Sequence, residues 1–338
     1  MGNKSGDRSV TDQIETFGQI YSEYHPPLEN HFQDDLEQQW GRNWGVNTEV
    51  GKLQAVLLHK PGEEMLSVQE PVEEWRYTEK PDLDEMQEDY QRLKNAFEEE
   101  GVEVIERKPE TNDPPRLVKS IYTRDPSFTV PGGTIIGRMY DRLRRGEELP
   151  TMKTYGEIGC PILHTINGEG TVEGGSVIWL TPEHLAIGLS SRTNREGARQ
   201  VKEVVQSMNP DIEVKIIPET SEARHLDVPL NIVDVNTAVV DHSDVPYSFV
   251  RYLEDDVGME VIEKPPNTYV EGTVVLEPGK VLYDAGEDEA QKRGLALLES
   301  LGLEVKPVDL NTLTYPRNSG TLHCLTMPVV RDPEPSAQ

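Results

Sequence analysis

Apolar residues along this chain alternate between helical spacing and strand spacing, and the alternation predicts a repeated α/β unit. In the clearest segment Met86, Tyr90, Leu93 and Phe97 fall on one face of a predicted helix, with acidic residues on the other face. Gly101 follows that helix, and a short run rich in β-branched residues follows the glycine. Because glycine takes the left-handed conformation at low cost, it predicts the end of the helix and a turn into a strand.

A short marker, Gly-x-Glu-Val, recurs where the predicted helices end. Complete copies begin at Gly101, Gly258 and Gly302, a copy with Asp in place of Gly begins at Asp211, and a weaker candidate begins at Gly159. A unit that returns in fixed order about every 50 residues is typical of repeated supersecondary structure.

Between the predicted helices lie pairs of short strands. The pairs are 176–180 with 185–189, 232–235 with 238–240, and 273–276 with 281–283. Each unit therefore reads strand, strand, helix, strand. A linear stack of such units would need capping repeats, which the sequence does not show, so we predict a closed α/β propeller around a central site. We expect a lead-in segment over 1–45, a single propeller domain over 46–332 and a tail over 333–338.

Charge limits the partners that such a domain can have. Lys and Arg number 33 against 61 Asp and Glu, which gives a formal net charge of −28. Nucleic acids and anionic membrane surfaces need a basic face, so both are excluded as partners. The first ten residues lack the apolar core of a secretory signal, and no apolar run is long enough for a membrane span. We therefore expect a soluble, cytoplasmic protein, with a homo-oligomer left open.

Two cysteines and eight scattered histidines offer little material for a disulfide scaffold or a metal centre. The sequence contains neither a phosphate-binding loop of the Gly-x-x-x-x-Gly-Lys type nor a Gly-x-Ser-x-Gly nucleophile elbow. A metal site and a nucleotide site are therefore not expected.

Reactive side chains stand at the ends of predicted strands in four different units. Asp125 ends a Thr-Arg-Asp segment before a predicted strand over 127–130, and Glu173 begins a Glu-Gly-Gly segment. His225 and Asp227 lie two residues apart, on one face of a predicted extended segment. Cys324 follows an Asn-Ser-Gly loop. Residues from different units would meet at a shared central site.

Each of these residues also has a purely structural interpretation. Asp125 before proline and Glu173 beside two glycines are typical turn residues, and His225 can be a half-buried histidine bonded to a nearby carboxylate. A lone cysteine is usually a small buried hydrophobe, which is our interpretation of Cys160. Cys324 follows a polar, glycine-containing segment, and a histidine is present in another unit. For this cysteine a role as nucleophile is therefore as well supported as a role as a buried thiol.

Taken together, these segments resemble the guanidine-modifying superfamily, whose fold is a five-bladed α/β propeller (the pentein fold), and the arginine deiminases most closely. The resemblance covers most of the chain from about Gly45 onward. The matching segments are 45–53, 123–125, 132–133, 139–140, 144–145, 173–175, 225–227 and 320–332.

The resemblance implies a mechanism and a substrate class. Cys324 would be the nucleophile and His225 the general acid and base, while Asp125, Asp227 and Glu173 would bind the edges of a guanidinium cation. The substrate would be a small cationic guanidino compound such as arginine, which hydrolysis would convert to citrulline and ammonia. Neither a metal nor an organic cofactor would take part.

The far end of the substrate is less well defined by the resemblance. Arg144 and Arg192 match family positions that bind the substrate carboxylate. Ser176 replaces the Asp that usually closes Glu-Gly-Gly-Asp, Lys119 stands where deiminases tend to carry Asn, and Arg317 is displaced by two positions from its match. An amidinotransferase, a dimethylargininase and a catalytically silent guanidine-binding propeller therefore stay open as alternatives.

Overall fold

The computed structural model describes residues 32–107, 117–218 and 225–333. Most of the predicted lead-in (1–31) and of the predicted tail (334–338) lie outside the described residues. The predicted division into lead-in, domain and tail stays a prediction.

Fifteen strands and seven α-helices form the described part of the chain. The strands are β1 Leu53–His59, β2 Glu103–Arg107, β3 Ser127–Val130, β4 Gly133–Ile136, β5 Ile162–Thr165, β6 Val177–Thr181, β7 His184–Gly188, β8 Glu213–Ile217, β9 Leu230–Asp234, β10 Thr237–Val240, β11 Glu260–Glu263, β12 Thr273–Glu277, β13 Lys280–Asp284, β14 Glu304–Val308 and β15 Met327–Arg331. The helices are α1 Leu36–Trp40, α2 Leu83–Glu99, α3 Glu148–Ile158, α4 Arg195–Met208, α5 Tyr247–Tyr252, α6 Glu289–Ser300 and α7 Leu322–Leu325.

The strands form five three-stranded sheets with one shared topology. In β3-β4-β5, β6-β7-β8, β9-β10-β11 and β12-β13-β14, the first two strands pair antiparallel. A helix then leads to the third strand, which pairs parallel with the second. The predicted unit of strand, strand, helix and strand is confirmed.

The fifth sheet joins the two ends of the described chain. Strand β1 pairs antiparallel with β15, with Leu57 opposite Met327, and parallel with β2, with Ala55 opposite Glu103. The order β15-β1-β2 therefore repeats the topology of the other sheets, with its first strand supplied from the far end of the sequence.

Helix α2 shows why the repeating pattern folds as it does. The Asp82 side chain accepts hydrogen bonds from two backbone N–H groups of the first turn, which caps the helix. Met86, Leu93 and Phe97 are buried on the inner face. Gly101 follows with φ of +75°, so the helix ends where the sequence predicts it and the chain turns into β2.

Two local predictions were wrong, both beside the reactive residues. Gly174–Ser176 forms a 3₁₀ turn, so the strand that was predicted from 176 begins at Val177. The segment of His225 and Asp227 is a turn and not an extended segment, because backbone N–H groups bond back to the carbonyls of His225 and Leu226. Side-chain spacing in these places reflects turn geometry.

Neighbouring sheets contact each other through their first strands. Strand β15 packs on β3, β12 packs on β9, and the Trp179 indole of β6 donates a hydrogen bond to the Thr129 carbonyl of β3. Apolar side chains form three core clusters, and each cluster draws on more than one sheet. The mixed α/β class is confirmed, whereas closure of the sheets into a propeller stays a prediction. No helix among the described residues combines the length and apolarity needed to cross a membrane.

Candidate active site

One cavity of about 110 Å³ brings together reactive side chains from distant parts of the chain. Of the seven predicted site residues, Asp125, Arg144, Arg192, His225 and Cys324 line it. Glu173 is buried and bonds to Arg192 and His225 of this lining, and Asp227 is buried and bonds to His323, the residue before Cys324. The sequence prediction therefore named residues that the fold does gather in one place.

Short contacts fix the backbone around Cys324. The Thr321 hydroxyl accepts a hydrogen bond from the Cys324 N–H at 3.2 Å and lies 3.3 Å from Sγ, and it caps α7. The Arg124 N–H donates to the Cys324 carbonyl at 3.1 Å, and its Nε donates to the Thr326 carbonyl at 3.0 Å. The Thr123 hydroxyl lies 2.9 Å from the Leu325 carbonyl. Two members of the Thr-Arg-Asp segment therefore position the cysteine.

Burial raises the pKa of the Cys324 thiol, and the charges of Asp227 and Asp125 raise it further. The thiolate, which is the nucleophilic form, is disfavoured while both carboxylates carry their charge. A cation bound between these carboxylates would reverse part of that effect.

His225 is held between two carboxylates. Its Nε2 lies 2.8 Å from Glu173 Oε2, and its Nδ1 lies 3.5 Å from Asp125 Oδ1. Burial disfavours the charged ring, but Asp125, Glu173 and Asp227 together outweigh burial and raise the pKa of His225. The imidazolium is thereby favoured, and it is an acid that can give up a proton.

Both oxygens of Glu173 already have partners. Oε1 accepts from the Tyr140 N–H at 3.1 Å, and Oε2 accepts from Arg192 Nη1 at 2.7 Å and from His225. Burial opposes the charge, yet His225 and the two arginines outweigh it and lower the pKa of Glu173. This geometry suits a residue that orients His225.

Two buried carboxylate oxygens have no hydrogen-bond partner among the described residues: Oδ1 of Asp227 and Oδ1 of Asp125, which has only the 3.5 Å ion contact with His225 Nδ1. The other oxygen of each is occupied, Asp125 Oδ2 by Arg144 and Asp227 Oδ2 by His323 Nδ1 at 2.8 Å. Leaving a buried charged acceptor unpaired is costly, so such groups call for a physical explanation. A ligand with N–H donors would satisfy them.

The Glu-Gly-Gly segment has a steric reason for its glycines. A Cβ at Gly174 would lie 2.1 Å from the Arg124 carbonyl oxygen, and a Cβ at Gly175 would lie 2.9 Å from His225 Nδ1. The Gly175 carbonyl also accepts from the Asp227 N–H at 2.9 Å. The missing side chains thus let the backbone at Arg124 and the side chains of His225 and Asp227 lie directly against this segment.

Parts of the chain are similar to known proteins. Residues 114–254 match the family model for arginine deiminase. An arginine deiminase from Listeria monocytogenes serotype 4b is 24% identical over 256 residues, which cover 62% of this chain and 61% of that protein. The chain therefore spans about 61% of the length of this curated relative.

Solved structures share the fold. DDAH from Pseudomonas aeruginosa, in complex with citrulline, superposes with a TM-score of 0.65 at 22% identity, covering 82% of this chain and 99% of that one. Inosamine-phosphate amidinotransferase from Streptomyces griseus superposes with a TM-score of 0.63 at 18% identity, covering 86% and 97%. The resemblance to the guanidine-modifying superfamily is confirmed.

The two arginines that were predicted to bind a substrate carboxylate, Arg144 and Arg192, are paired inside the protein. Arg144 donates to both oxygens of Glu147, to the Tyr122 carbonyl at 3.0 Å and to Asp125. Arg192 donates to Glu173, and its Nη2 lies 3.4 Å from Asp141 Oδ2. Arg144 in particular has little donor capacity left for a ligand.

Three departures from the superfamily pattern have defined positions. Lys119 Nζ donates to the Arg76 carbonyl and to Asn318 Oδ1, both at 2.8 Å, so its ammonium group ties two loops together. Arg317 is partly exposed and pairs with Glu79 and Glu85, away from the cavity lining. The buried Ser176 hydroxyl has no hydrogen-bond partner in the described part of the chain.

The same cluster of side chains also offers ligand atoms for a metal ion. Asp125, Glu173 and His225 each offer a ligand atom, and these atoms lie within 4.8 Å of one another. The charges of Arg144 and Arg192, which pair with the two carboxylates, oppose a divalent ion more strongly than a singly charged guanidinium. The cluster therefore suits an organic cation better than a metal.

Sequence reasoning missed Arg76, Asp141 and Glu147, and it quoted His323 without giving it a role. Arg76 and Asp141 line the cavity, Glu147 binds Arg144, and His323 binds Asp227. Their partners come from remote parts of the sequence or from an irregular loop, so no spacing rule identifies them. The one usable signal was the adjacency of His323 to the candidate nucleophile.

Proposed function

We propose that this chain is an arginine-deiminase-type hydrolase, which attacks the guanidinium carbon of arginine or a close analogue with Cys324. The observation that carries the proposal is the pair of orphaned oxygens, Asp125 Oδ1 and Asp227 Oδ1, in the same buried cluster as the thiol. A guanidinium is planar, carries one positive charge and presents several N–H donors in fixed directions. A guanidinium would therefore balance the negative charge of the two carboxylates and donate the missing hydrogen bonds to their Oδ1 atoms.

Binding would prepare the nucleophile. Asp125 and Asp227 would accept N–H hydrogen bonds from the substrate and hold its central carbon in front of Cys324 Sγ. Because the charges of these carboxylates raise the pKa of the thiol, their neutralisation by a bound cation would favour the thiolate. The substrate would thus help to activate the residue that attacks it.

His225 would then carry the protons. Sγ forms a bond to the guanidinium carbon, and the tetrahedral adduct collapses as the carbon–nitrogen bond breaks and His225 protonates the departing nitrogen as ammonia. The neutral imidazole next takes a proton from water, which attacks the thiouronium carbon. Expulsion of the thiolate leaves citrulline when the substrate is arginine. Glu173 would keep the imidazole oriented throughout, since it already holds Nε2.

The five sheets would form a closed ring around this site. Contacts between the first strands of neighbouring sheets support such a ring, as does the convergence of reactive residues from separate units on one cavity. A propeller centre is where residues from every unit meet.

Amidinotransfer is the second candidate, because a solved structure that covers 86% of this chain is named an amidinotransferase. Its chemistry would use the same covalent adduct, with an amine in place of water as the second nucleophile.

Product analysis separates these candidates. The purified protein would be incubated with arginine, N-methylated arginines and agmatine, each with and without an amine acceptor such as glycine. We expect a ureido product and released ammonia or amine that do not depend on the acceptor. Acceptor-dependent transfer would show that the protein is a transferase and not a hydrolase. Absence of any turnover would favour a catalytically silent binding protein.

Two cysteine variants test the nucleophile. Cys324→Ala should abolish turnover, whereas Cys160→Ala should retain it, because Cys160 packs in a separate core cluster. Mass spectrometry of a Cys324 adduct trapped during turnover supplies direct evidence. Full activity of Cys324→Ala would refute the mechanism.

A further inference from the structure

Arg76 lies at the edge of the cavity in a backbone conformation that its residue type rarely adopts. Its φ is +60°, and the other described non-glycine residues with positive φ are Asn236 and Asn267. Asparagine tolerates the left-handed region, whereas arginine gains nothing there from its side chain. Strained backbone of this kind clusters at functional sites.

The local fold makes this arginine unexpected. Arg76 ends a single 3₁₀ turn, Val72–Trp75, and its N–H donates to the Glu73 carbonyl. Glycine or asparagine usually takes such a terminal left-handed position. A long cationic side chain in this position breaks a local rule, which suggests that the side chain itself is needed.

The Arg76 and Arg192 guanidinium groups both contact the carboxylate of Asp141. Arg76 Nη2 lies 2.9 Å from Asp141 Oδ2, and Arg192 Nη2 lies 3.4 Å from the same oxygen. Asp141 is itself fixed, because its Oδ1 accepts from the Leu143 N–H at 3.1 Å. Arg192 also pairs with Glu173, whereas Arg76 shares Asp141 with Arg192.

These three residues lie between two spaces. Arg76, Asp141 and Arg192 line the inner cavity that contains Cys324 and also an outer cavity of about 660 Å³. About 38% of the Arg76 side chain is exposed, compared with 6% for Arg144. A substrate whose guanidinium lies beside Cys324 would present its other end to Arg76.

We propose that Arg76 is a substrate-binding residue, and that Arg76 and Arg192 together bind an acidic group at the far end of the guanidino substrate. The inference rests on the proposed function and deepens it, since it assigns the carboxylate site to Arg76 in place of the internally paired Arg144. A carboxylate at this position would receive N–H donors from two guanidinium groups, one of them on the partly exposed Arg76.

Selectivity between arginine and agmatine tests the inference, because agmatine lacks the carboxylate. We expect wild-type enzyme to prefer arginine in kcat/KM, and Arg76→Asn to reduce that preference about 10- to 100-fold, the range of a lost charged hydrogen bond. The loss should arise through KM for arginine, with agmatine turnover unchanged. Arg76→Lys should restore part of the preference.

A stability readout distinguishes binding from a structural role. Arg76→Gly and Arg76→Asn relieve the left-handed backbone, so their melting temperatures should equal or exceed that of the wild type while selectivity falls. Arg142→Gln is the matched control: this exposed arginine lines the outer cavity but not the inner one, and the variant should keep wild-type selectivity.

Equilibrium binding keeps this test independent of turnover. Calorimetry of arginine and agmatine with Cys324→Ala, with and without Arg76→Asn, measures the carboxylate contribution directly. An unchanged arginine preference in the double variant would overturn the role of Arg76, even if the hydrolase is correct. Retained preference for arginine binding without any turnover by the wild type would instead refute the hydrolase alone.

Discussion

The orphaned oxygen of Asp227 is the most informative single atom in the site. Oδ2 is held by His323, while the buried Oδ1 has no partner among the described residues. The same carboxylate raises the pKa of Cys324. In the proposed mechanism this one residue would receive the cation and would also disfavour the thiolate until the cation binds.

Asp227→Asn separates these two effects. The amide can still accept from His323, but it presents N–H donors where the substrate also has donors, so kcat/KM should fall by about 100-fold or more. Removing the negative charge should at the same time lower the pKa of Cys324, and the pH profile of alkylation by iodoacetamide should shift downward. The exposed Asp211→Asn is the control. An unchanged alkylation profile would contradict the proposed coupling.

Asp284 allows a pH test of stability away from the reaction. Burial raises its pKa from 3.8 to about 6, and its Oδ1 has no partner among the described residues. The folded state therefore favours the protonated carboxyl. The stability that the protonated Asp284 contributes is fully present below pH 3.8 and is lost as the pH rises through about 6.

Asp284→Asn should remove this loss of folding stability at high pH. Urea unfolding should show the variant more stable than wild type at pH 8 by up to about 3 kcal/mol, and similar at pH 4. The amide can still accept from the Tyr269 hydroxyl, which lies 3.1 Å from Oδ2. A variant less stable at both pH values would mean that the ionised carboxylate has a partner.

At the scale of elements, the sequence was sufficient wherever periodicity decides structure. The helical stripe of α2, the glycines that end the helices and the strand pairs all predicted elements that the structure contains. The pairing of β15 with β1 was not among these predictions. That pairing links residues 53–57 with 327–331, and no local pattern specifies so distant a contact.

The sequence did not predict the geometry that turns and charge pairing determine. His225 and Asp227 reach the same cluster through a turn, although alternation suggested a strand. Arg144 looks like a ligand residue by position, yet Glu147 and Asp125 occupy most of its donors. Which carboxylate an arginine selects depends on three-dimensional packing, so a sequence pattern identifies candidates and leaves their pairing undetermined.

At the scale of the whole molecule, net charge is the dominant property. Much of the excess acid lies on exposed surfaces such as the outer face of α2, where many of the acidic side chains are exposed. Like charges at this density repel one another and oppose compaction, while they attract cationic ligands from solution. Stability and substrate capture should therefore respond to salt in opposite directions.

Salt titration tests this opposition. Raising NaCl from about 0.05 to 0.5 M shortens the Debye length from roughly 14 to 4 Å, so the melting temperature should rise while kcat/KM for arginine falls several-fold. The lower kcat/KM should result from slower association of arginine with the protein. Alkylation of Cys324 by an uncharged reagent is the control and should change little. A kcat/KM that is independent of salt would show that surface charge does not guide the substrate.

The sheet that joins both ends of the described chain has a consequence for how the protein acquires its chemistry. Cys324 lies directly before β15, whose pairing with β1 closes a loop that contains most of the sequence. Such a closure carries a large entropy cost and tends to be slow. A folding chain would therefore possess its thiol from the time of synthesis, but would become a catalyst only when its most distant strands had met.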